Sequence, residues 1–139
     1  MGDEKELQRL NLLFYRCLET LDMECMEGIW LHEDWVRSIH PGWDVLVGWE
    51  AIRESWEQIF ASTNWIRVAP TAVDIHVLGT TAIVACSENI TTTSDGDLGV
   101  AVAQATNVFL RTREGWKMIV HHASPAPVVI TQPFSGKVQ

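Results

Sequence analysis

The sequence predicts one α+β domain, in which three N-terminal helices cover one face of a curved antiparallel sheet. The spacing of apolar residues is three to four up to about residue 62, and it changes to two from Trp65 onward. Short turn segments separate the later apolar stretches, as in a chain of antiparallel strands. A sheet that bends round helices of this length encloses a cone, whose inward strand positions line the interior. We assign residues 1–127 to this domain and 128–139 to a C-terminal tail.

Three stretches with helical periodicity come first. Residues 3–21 carry five apolar side chains on one helical face: Leu7, Leu10, Phe14, Leu18 and Leu21. Asp22 is a suitable N-cap for a short second helix, which ends at His32-Glu33-Asp34. A third helix starts after Gly48, ends near Ser62, and has an apolar face of Trp49, Ile52, Trp56, Ile59 and Phe60.

Strands follow wherever β-branched residues alternate with other types. A first short strand is predicted over 35–40, closed by Pro41-Gly42. Five more are predicted over 66–69, 73–78, 81–93, 100–112 and 116–123. Turns are predicted at Gly79-Thr80, at 94–97 and at 113–115.

Composition excludes several classes of partner. The 139 residues contain 10 Lys plus Arg against 18 Asp plus Glu, a net charge of -8 that disfavours nucleic acid and anionic membranes. The chain shows no spanning segment and no secretory signal, so we expect a cytoplasmic protein. Cys17, Cys25 and Cys86 match no metal or redox spacing, and we expect three buried free thiols. The spacing of residues indicates no metal site and no cofactor.

Tryptophan is unusually concentrated. Six of the seven indoles lie between residues 30 and 65. Each buries roughly 200 Å² and carries an N–H that needs a partner, so the cluster walls either a core or a ligand cavity. We favour a cavity for a small, mostly apolar molecule, in which four side chains exclude water: Trp30, Trp35, Trp43 and Trp56.

Particular segments resemble the nuclear transport factor 2-like superfamily, also called cystatin-like. They are Ile39-His40-Pro41-Gly42, Gly48 through Ile52, and the closing stretch from Thr106 through Gly115-Trp116 to Pro127. Within the superfamily the chain is similar to SnoaL-like proteins, ketosteroid isomerases and the association domain of calcium/calmodulin-dependent protein kinase II. The resemblance implies the cone-shaped fold; because members include enzymes and assembly modules, it does not fix the activity.

The resemblance also suggests site residues. His40 occupies the place of the isomerases' general base, and its imidazole suits proton transfer. Asn107 matches their second oxyanion donor, and its amide can donate as a neutral group. Tyr15 falls close to their oxyanion Tyr on the first helix, although it lies roughly 110° from the centre of the apolar face and is otherwise a helix-edge residue.

The last two strands leave one choice open. If Glu114-Gly115 forms the turn, Asn107 faces His122; a three-residue loop pairs Asn107 with His121 instead. We favour His122, since it matches the family's closing histidine. Glu88 is either a cross-strand partner on an exposed face or a cavity acid with a raised pKa.

Two functional hypotheses follow. The first is a proton-transfer enzyme of the isomerase, cyclase or dehydratase type, with His40 as base or acid and with Asn107 and His122 as hydrogen-bond donors. The second is a non-catalytic binding or assembly module, which we slightly favour because the proton-transfer set is incomplete. Residues 100–110 are apolar on both faces, so we also expect a homodimer through the sheet.

Overall fold

The computed structural model describes residues 2–127, and helices precede a long sheet as predicted. The predicted tail lies outside the described residues. The elements are α1 Gly2–Thr20, α2 Met23–Ile29, β1 Arg37–Ile39, β2 Leu46–Val47, α3 Trp49–Ser62, β3 Trp65–Leu78, β4 Thr81–Ser94, β5 Asp97–Thr112 and β6 Gly115–Ala126. Within 2–127, no helix is both long enough and apolar enough to cross a membrane.

The strands form one six-stranded sheet in the order β2-β1-β6-β5-β4-β3. The antiparallel meander of β3 to β6 is confirmed. The short strand β1 instead runs parallel to β6, an arrangement that local turn signals do not predict because the two strands are far apart in the chain. The predicted segments 66–69 and 73–78 belong to the single strand β3.

Two register shifts interrupt the meander and help to curve it. One lies between Thr71 and Asp74, where Ala72 has a φ of 52°. The other lies between Val108 and Phe109, where Ile119 of β6 is the extra residue. Bulges bend a strand and increase its twist, so the sheet wraps round α1 instead of lying flat.

The core lies between the helices and the concave face of the sheet. Alternate residues of β4 point inward, so Ala82, Val84 and Cys86 are buried. From α1, Phe14 is fully buried and meets the Tyr15 ring edge to face at 4.9 Å and the Trp56 ring at 5.8 Å. These aromatic contacts join α1 to α3 beneath the sheet.

Cys17 and Cys25 form a disulfide that links α1 to α2. The prediction of three free thiols is therefore wrong for this pair. The pairing is possible because Leu21 has a φ of 52° and turns the chain so that the two Cα atoms lie 5.5 Å apart. Cys86 is a free, buried cysteine, as predicted.

Asp22 caps α2 as predicted, since its side chain accepts a hydrogen bond of 3.1 Å from the backbone N–H of Cys25. We expect Asp22→Ala to lower the free energy of unfolding by about 1 kcal/mol, because this N–H loses its partner. Urea unfolding at pH 7 measures the change. Asp44→Ala is the control, because Asp44 is exposed and has no hydrogen bond among residues 2–127; equal effects of the two substitutions would contradict the capping role.

Candidate functional site

A cavity of about 210 Å³ lies between α1, α3 and the concave face of the sheet. Its wall is mostly apolar, with three titratable side chains: Leu18, His40, Pro41, Trp43, Trp56, Ile59, Ile66, Val68, Glu88, Ile90 and His121. No lysine or arginine is among these residues. Surface grooves of 440 to 460 Å³ are larger, but no buried titratable side chain lines them. The cavity is therefore the candidate site.

His40 enters the cavity from the end of β1. Inward residues alternate along this segment, so Val36, Ser38 and His40 are buried. The Nε2 atom of His40 lies 2.9 Å from the hydroxyl of Ser55 on α3, and the ring of Trp56 packs edge to face at 4.5 Å. Burial lowers the pKa of His40 to about 4, so the imidazole is neutral at pH 7.

Glu88 points inward from the middle of β4 and is 4% exposed. Its Oε2 atom accepts a hydrogen bond of 2.7 Å from the hydroxyl of Tyr15. Burial raises the pKa of Glu88, against the smaller lowering effect of the Tyr15 hydrogen bond. Of the two sequence interpretations, the structure therefore supports the cavity acid.

His121 is held from behind by a buried polar cluster. Its Nδ1 lies 2.6 Å from Oδ1 of Asn107. The amide of Asn107 in turn donates to Oδ1 of Asn11 at 2.8 Å and to the Tyr15 hydroxyl at 3.2 Å. Burial, together with the neighbouring His40 and His122, lowers the pKa of His121 to about 3. This ring is also neutral at pH 7.

Glu88 and His121 face one another across the cavity wall. The Nε2 of His121 lies 4.0 Å from Oε2 of Glu88, and both side chains are at most 5% exposed. A carboxyl group that retains its proton to higher pH, beside an imidazole that stays unprotonated, is an acid and a base within reach of one ligand.

The prediction that His122 faces inward is wrong. His121 is 2% exposed and pairs with Asn107, whereas His122 is exposed on the outer face. The bulge at Ile119 is the physical reason, because an extra residue reverses the face of every side chain that follows. Trp116 and Met118 are buried before the bulge, and His121 and Ala123 after it.

The predicted indole lining is wrong for two of its four members. Trp43 and Trp56 line the cavity, although Trp43 is 42% exposed at its mouth. Trp35 is 45% exposed, because it precedes β1 at an outward position of the alternation. Trp30 is buried but packs on Trp49, with ring centroids 6.0 Å apart, and is not part of the cavity wall.

Tyr15 and Asn107 lie behind the cavity wall. Asn107 is fully buried, and its amide contacts His121, Asn11 and Tyr15 rather than open space. Asn107 was predicted to donate directly to a ligand oxyanion, but its contacts place it behind His121, which it holds in position. Tyr15 is buried although it lies off the apolar face of α1, because the sheet curves round the helix and covers that side as well.

Two supporting residues were not identified from the sequence. Asn11 and Ser55 are both buried. Asn11 accepts a hydrogen bond from Asn107, which holds His121, and Ser55 is hydrogen-bonded to His40 itself. The available signal was a polar residue on an apolar helix face: Asn11 lies between Leu7 and Phe14, and Ser55 between Ile52 and Ile59.

Comparison with known proteins is consistent with this architecture. The family model of the SnoaL-like domain matches residues 7–128. A candidate dehydratase of the nuclear transport factor 2-like family from Streptomyces avermitilis is 37% identical, with a TM-score of 0.86 over 91% of this chain and 98% of that one. No curated protein matches the chain.

Two further solved structures are similar. A candidate calcium/calmodulin-dependent protein kinase type II association domain from Thiobacillus denitrificans is 29% identical, with a TM-score of 0.76 over 86% of this chain and 94% of that one. A protein with a cystatin-like fold from Novosphingobium aromaticivorans is 19% identical, with a TM-score of 0.73 over 92% of this chain and 84% of that one. The predicted fold class is thereby confirmed.

Proposed function

The chain belongs to the SnoaL-like domain family, and from this membership we propose that it binds a small, mostly apolar molecule in the cavity and transfers a proton on it. One observation carries the proposal. Glu88 and His121 are buried 4.0 Å apart in the wall of an otherwise apolar cavity, without a lysine or arginine among the lining residues. Ionisable groups whose pKa values are strongly shifted by burial cluster at functional sites.

In the proposed proton transfer, His121 acts as the base and Glu88 as the acid. The unprotonated Nε2 of His121 takes a proton from the bound molecule, and Glu88, whose raised pKa lets it retain a proton to higher pH, gives one to another atom of it. The result is an imidazolium beside a carboxylate. Because these groups are 4.0 Å apart, a small movement returns the proton from His121 to Glu88 and restores the starting state.

The size of the cavity limits the ligand. At about 210 Å³ it exceeds the roughly 150 Å³ of an apolar cavity that holds benzene, so a molecule of about eight to ten non-hydrogen atoms fits. The mainly apolar wall and the neutral imidazoles favour an uncharged ligand over an anion.

The buried pair of Glu88 and His121 favours the proton-transfer hypothesis over the binding or assembly module. A binding or assembly module was slightly favoured because the proton-transfer set of His40, Asn107 and His122 was incomplete. Glu88 and His121 add a second acid–base pair to that set. The Streptomyces avermitilis relative, named a candidate dehydratase, gives further support, since removal of water requires proton transfer.

Ring opening of 1,2-benzisoxazole tests the proposal, because this nine-atom probe reacts when a base removes its one ring C–H proton next to nitrogen. The N–O bond then breaks and 2-cyanophenol forms, which is followed by ultraviolet absorbance. We expect turnover above that of free imidazole and acetate at the same concentration, with inhibition by ethylbenzene in the cavity. A rate equal to the free bases, or one that ethylbenzene does not reduce, would contradict the proposal.

The outer sheet face supports a second proposal, that two copies of the chain associate through it. Register places several exposed or half-buried apolar side chains on this face: Leu78, Ile83, Leu98, Val100, Val102, Val108 and Leu110. Among its described outward positions in β3 to β6, Asp74 is the one acidic residue, although the chain holds 18. In a chain with a net charge of -8, a self-complementary surface benefits from this scarcity of acidic side chains.

We expect sedimentation at micromolar concentration to give twice the chain mass of 15.7 kDa, and Ile83→Lys to shift the protein toward monomer. The introduced ammonium faces its own symmetry mate or apolar surface, and both are unfavourable. Val47→Lys is the control, because Val47 is similarly exposed but lies on β2, away from the outer faces of β3 to β6. A wild-type monomer would exclude the dimer.

A further inference from the structure

We infer that the molecule bound in the cavity carries a hydroxyl group, which donates a hydrogen bond to an imidazole nitrogen. The inference rests on the proposed binding function and names the class of ligand: an uncharged alcohol or phenol, rather than a hydrocarbon or a compound whose polar group is a carbonyl alone. Hydrogen-bond partners around the cavity carry the argument, because almost every donor there is already used.

The N–H donor of His40 is already hydrogen-bonded to Ser55. The Ser55 hydroxyl donates to the backbone carbonyl of Ile52 at 2.7 Å, one helical turn earlier. With its hydrogen directed there, Ser55 accepts from His40 across 2.9 Å. His40 therefore carries its proton on Nε2 and presents an unprotonated Nδ1.

The N–H donor of His121 is likewise already hydrogen-bonded, in this case to Asn107. Its Nδ1 lies 2.6 Å from Oδ1 of Asn107, an atom that can only accept. The Asn107 amide has this orientation because its nitrogen donates to Asn11 and Tyr15. A neutral imidazole with a proton on Nδ1 has a lone pair on Nε2, and this atom faces Glu88 across the 4.0 Å gap.

The remaining donors inside the cavity do not reach the ligand, and the indole of Trp43 lies at the mouth, where the side chain is 42% exposed to water. The Tyr15 hydroxyl donates to Glu88 at 2.7 Å. The indole N–H of Trp56 is enclosed, so a water-sized molecule cannot touch it. A protonated Glu88 adds a single donor, against acceptors on both imidazoles.

The polar groups that remain for a ligand are thus mainly acceptors. Neither Nδ1 of His40 nor Nε2 of His121 has a hydrogen-bond partner within residues 2–127. A carbonyl compound leaves both lone pairs without a donor, and this costs affinity in a site removed from water. An ammonium group could donate, but burying its charge in an apolar cavity is far more costly than burying a hydroxyl.

Three probes of nearly equal size separate the possibilities: 1-phenylethanol, acetophenone and ethylbenzene. We expect 1-phenylethanol to bind about tenfold more tightly than acetophenone, the effect of one satisfied hydrogen bond, when dissociation constants are measured by calorimetry at pH 7. Acetophenone binding as tightly as the alcohol would overturn the inference while leaving the proposed cavity intact. Failure of all three to bind would overturn the proposed function as well.

His121→Asn tests which atom accepts. The asparagine amide reproduces the Nδ1–H donor to Asn107 and removes Nε2, so we expect the preference for the alcohol to fall to about threefold or less. His122→Asn is the matched control, because that neighbour is exposed on the outer face, and it should keep the tenfold preference. Nitrogen chemical shifts of His121 give a second readout: a proton found on Nε2 in place of Nδ1 would contradict the assignment even if the variant failed to fold.

Discussion

Glu88→Gln lowers the rate of 1,2-benzisoxazole opening by about 10²- to 10⁴-fold, the usual contribution of a positioned acid or base. The amide keeps the shape of the carboxyl and can still accept from the Tyr15 hydroxyl, which lies 2.7 Å away in the native protein. It can neither take up nor release a proton at neutral pH. The fold is retained, so the loss appears in the rate rather than in the melting temperature.

His121→Asn gives a loss of the same order, because it removes the Nε2 lone pair that faces Glu88 at 4.0 Å. If the two side chains act as a unit, the double variant is no slower than the worse single variant. His122→Asn serves as the control and should retain the wild-type rate, since His122 is exposed on the opposite face. Folded single variants that keep most of the wild-type rate would show that proton transfer does not use this pair.

Acidification from pH 7.5 to pH 5 removes about 4 kcal/mol of unfolding free energy through His40 and His121, roughly 2 kcal/mol from each. Their folded pKa values, about 4 and about 3, lie below the unfolded value of about 6.5. Protonation therefore favours the unfolded chain. This contribution to stability is fully present above pH 6.5 and is lost as the pH falls toward the folded values.

Urea unfolding at a series of pH values measures the effect. The double variant His40→Gln with His121→Asn should flatten the slope between pH 7.5 and pH 5, since each replacement keeps one donor and has no titratable nitrogen. Glu88 acts with the opposite sign, because its pKa is raised and its ionisation at higher pH favours unfolding. Equal slopes in the wild type and the double variant would mean that neither histidine is buried as described.

The fold was predictable because local patterns and tertiary packing agree. The apolar face of α1, the Asp22 cap and the start of α3 after Gly48 all follow from short-range physical chemistry. Gly48 has a φ of 94°, and a Cβ there would lie 3.3 Å from the backbone oxygen of Asp34, so glycine is needed at that helix start. The strands of the meander were also predictable, because β-branched residues alternate with other types along them.

The site was less predictable because it depends on single-residue register. One bulge at Ile119 decides whether His121 or His122 faces inward, and no turn residue marks it in the sequence. Glu88 was placed on the correct strand, but alternation alone does not say which face of that strand is covered. Trp35 shows the same limit, since an offset of one residue from Val36 puts its ring in solvent.

Contacts between distant elements were beyond sequence reasoning. The bonds of Asn107 to Asn11 and to Tyr15 join residues more than 90 positions apart. The disulfide between Cys17 and Cys25 required knowledge of how tightly the chain turns at Leu21. The resemblance to ketosteroid isomerases drew attention to Asn107 as a donor to the ligand, whereas its contacts place it behind His121.

The most direct measurement is a crystal structure of the protein exposed to bromobenzene, with the bromine located by its anomalous scattering. We expect a bromine peak inside the cavity, with the ring in van der Waals contact, about 4 Å, with Glu88 and His121. A bromine found only in surface grooves, with Leu18, Trp56 and Ile90 closing the space between those two side chains, would contradict it.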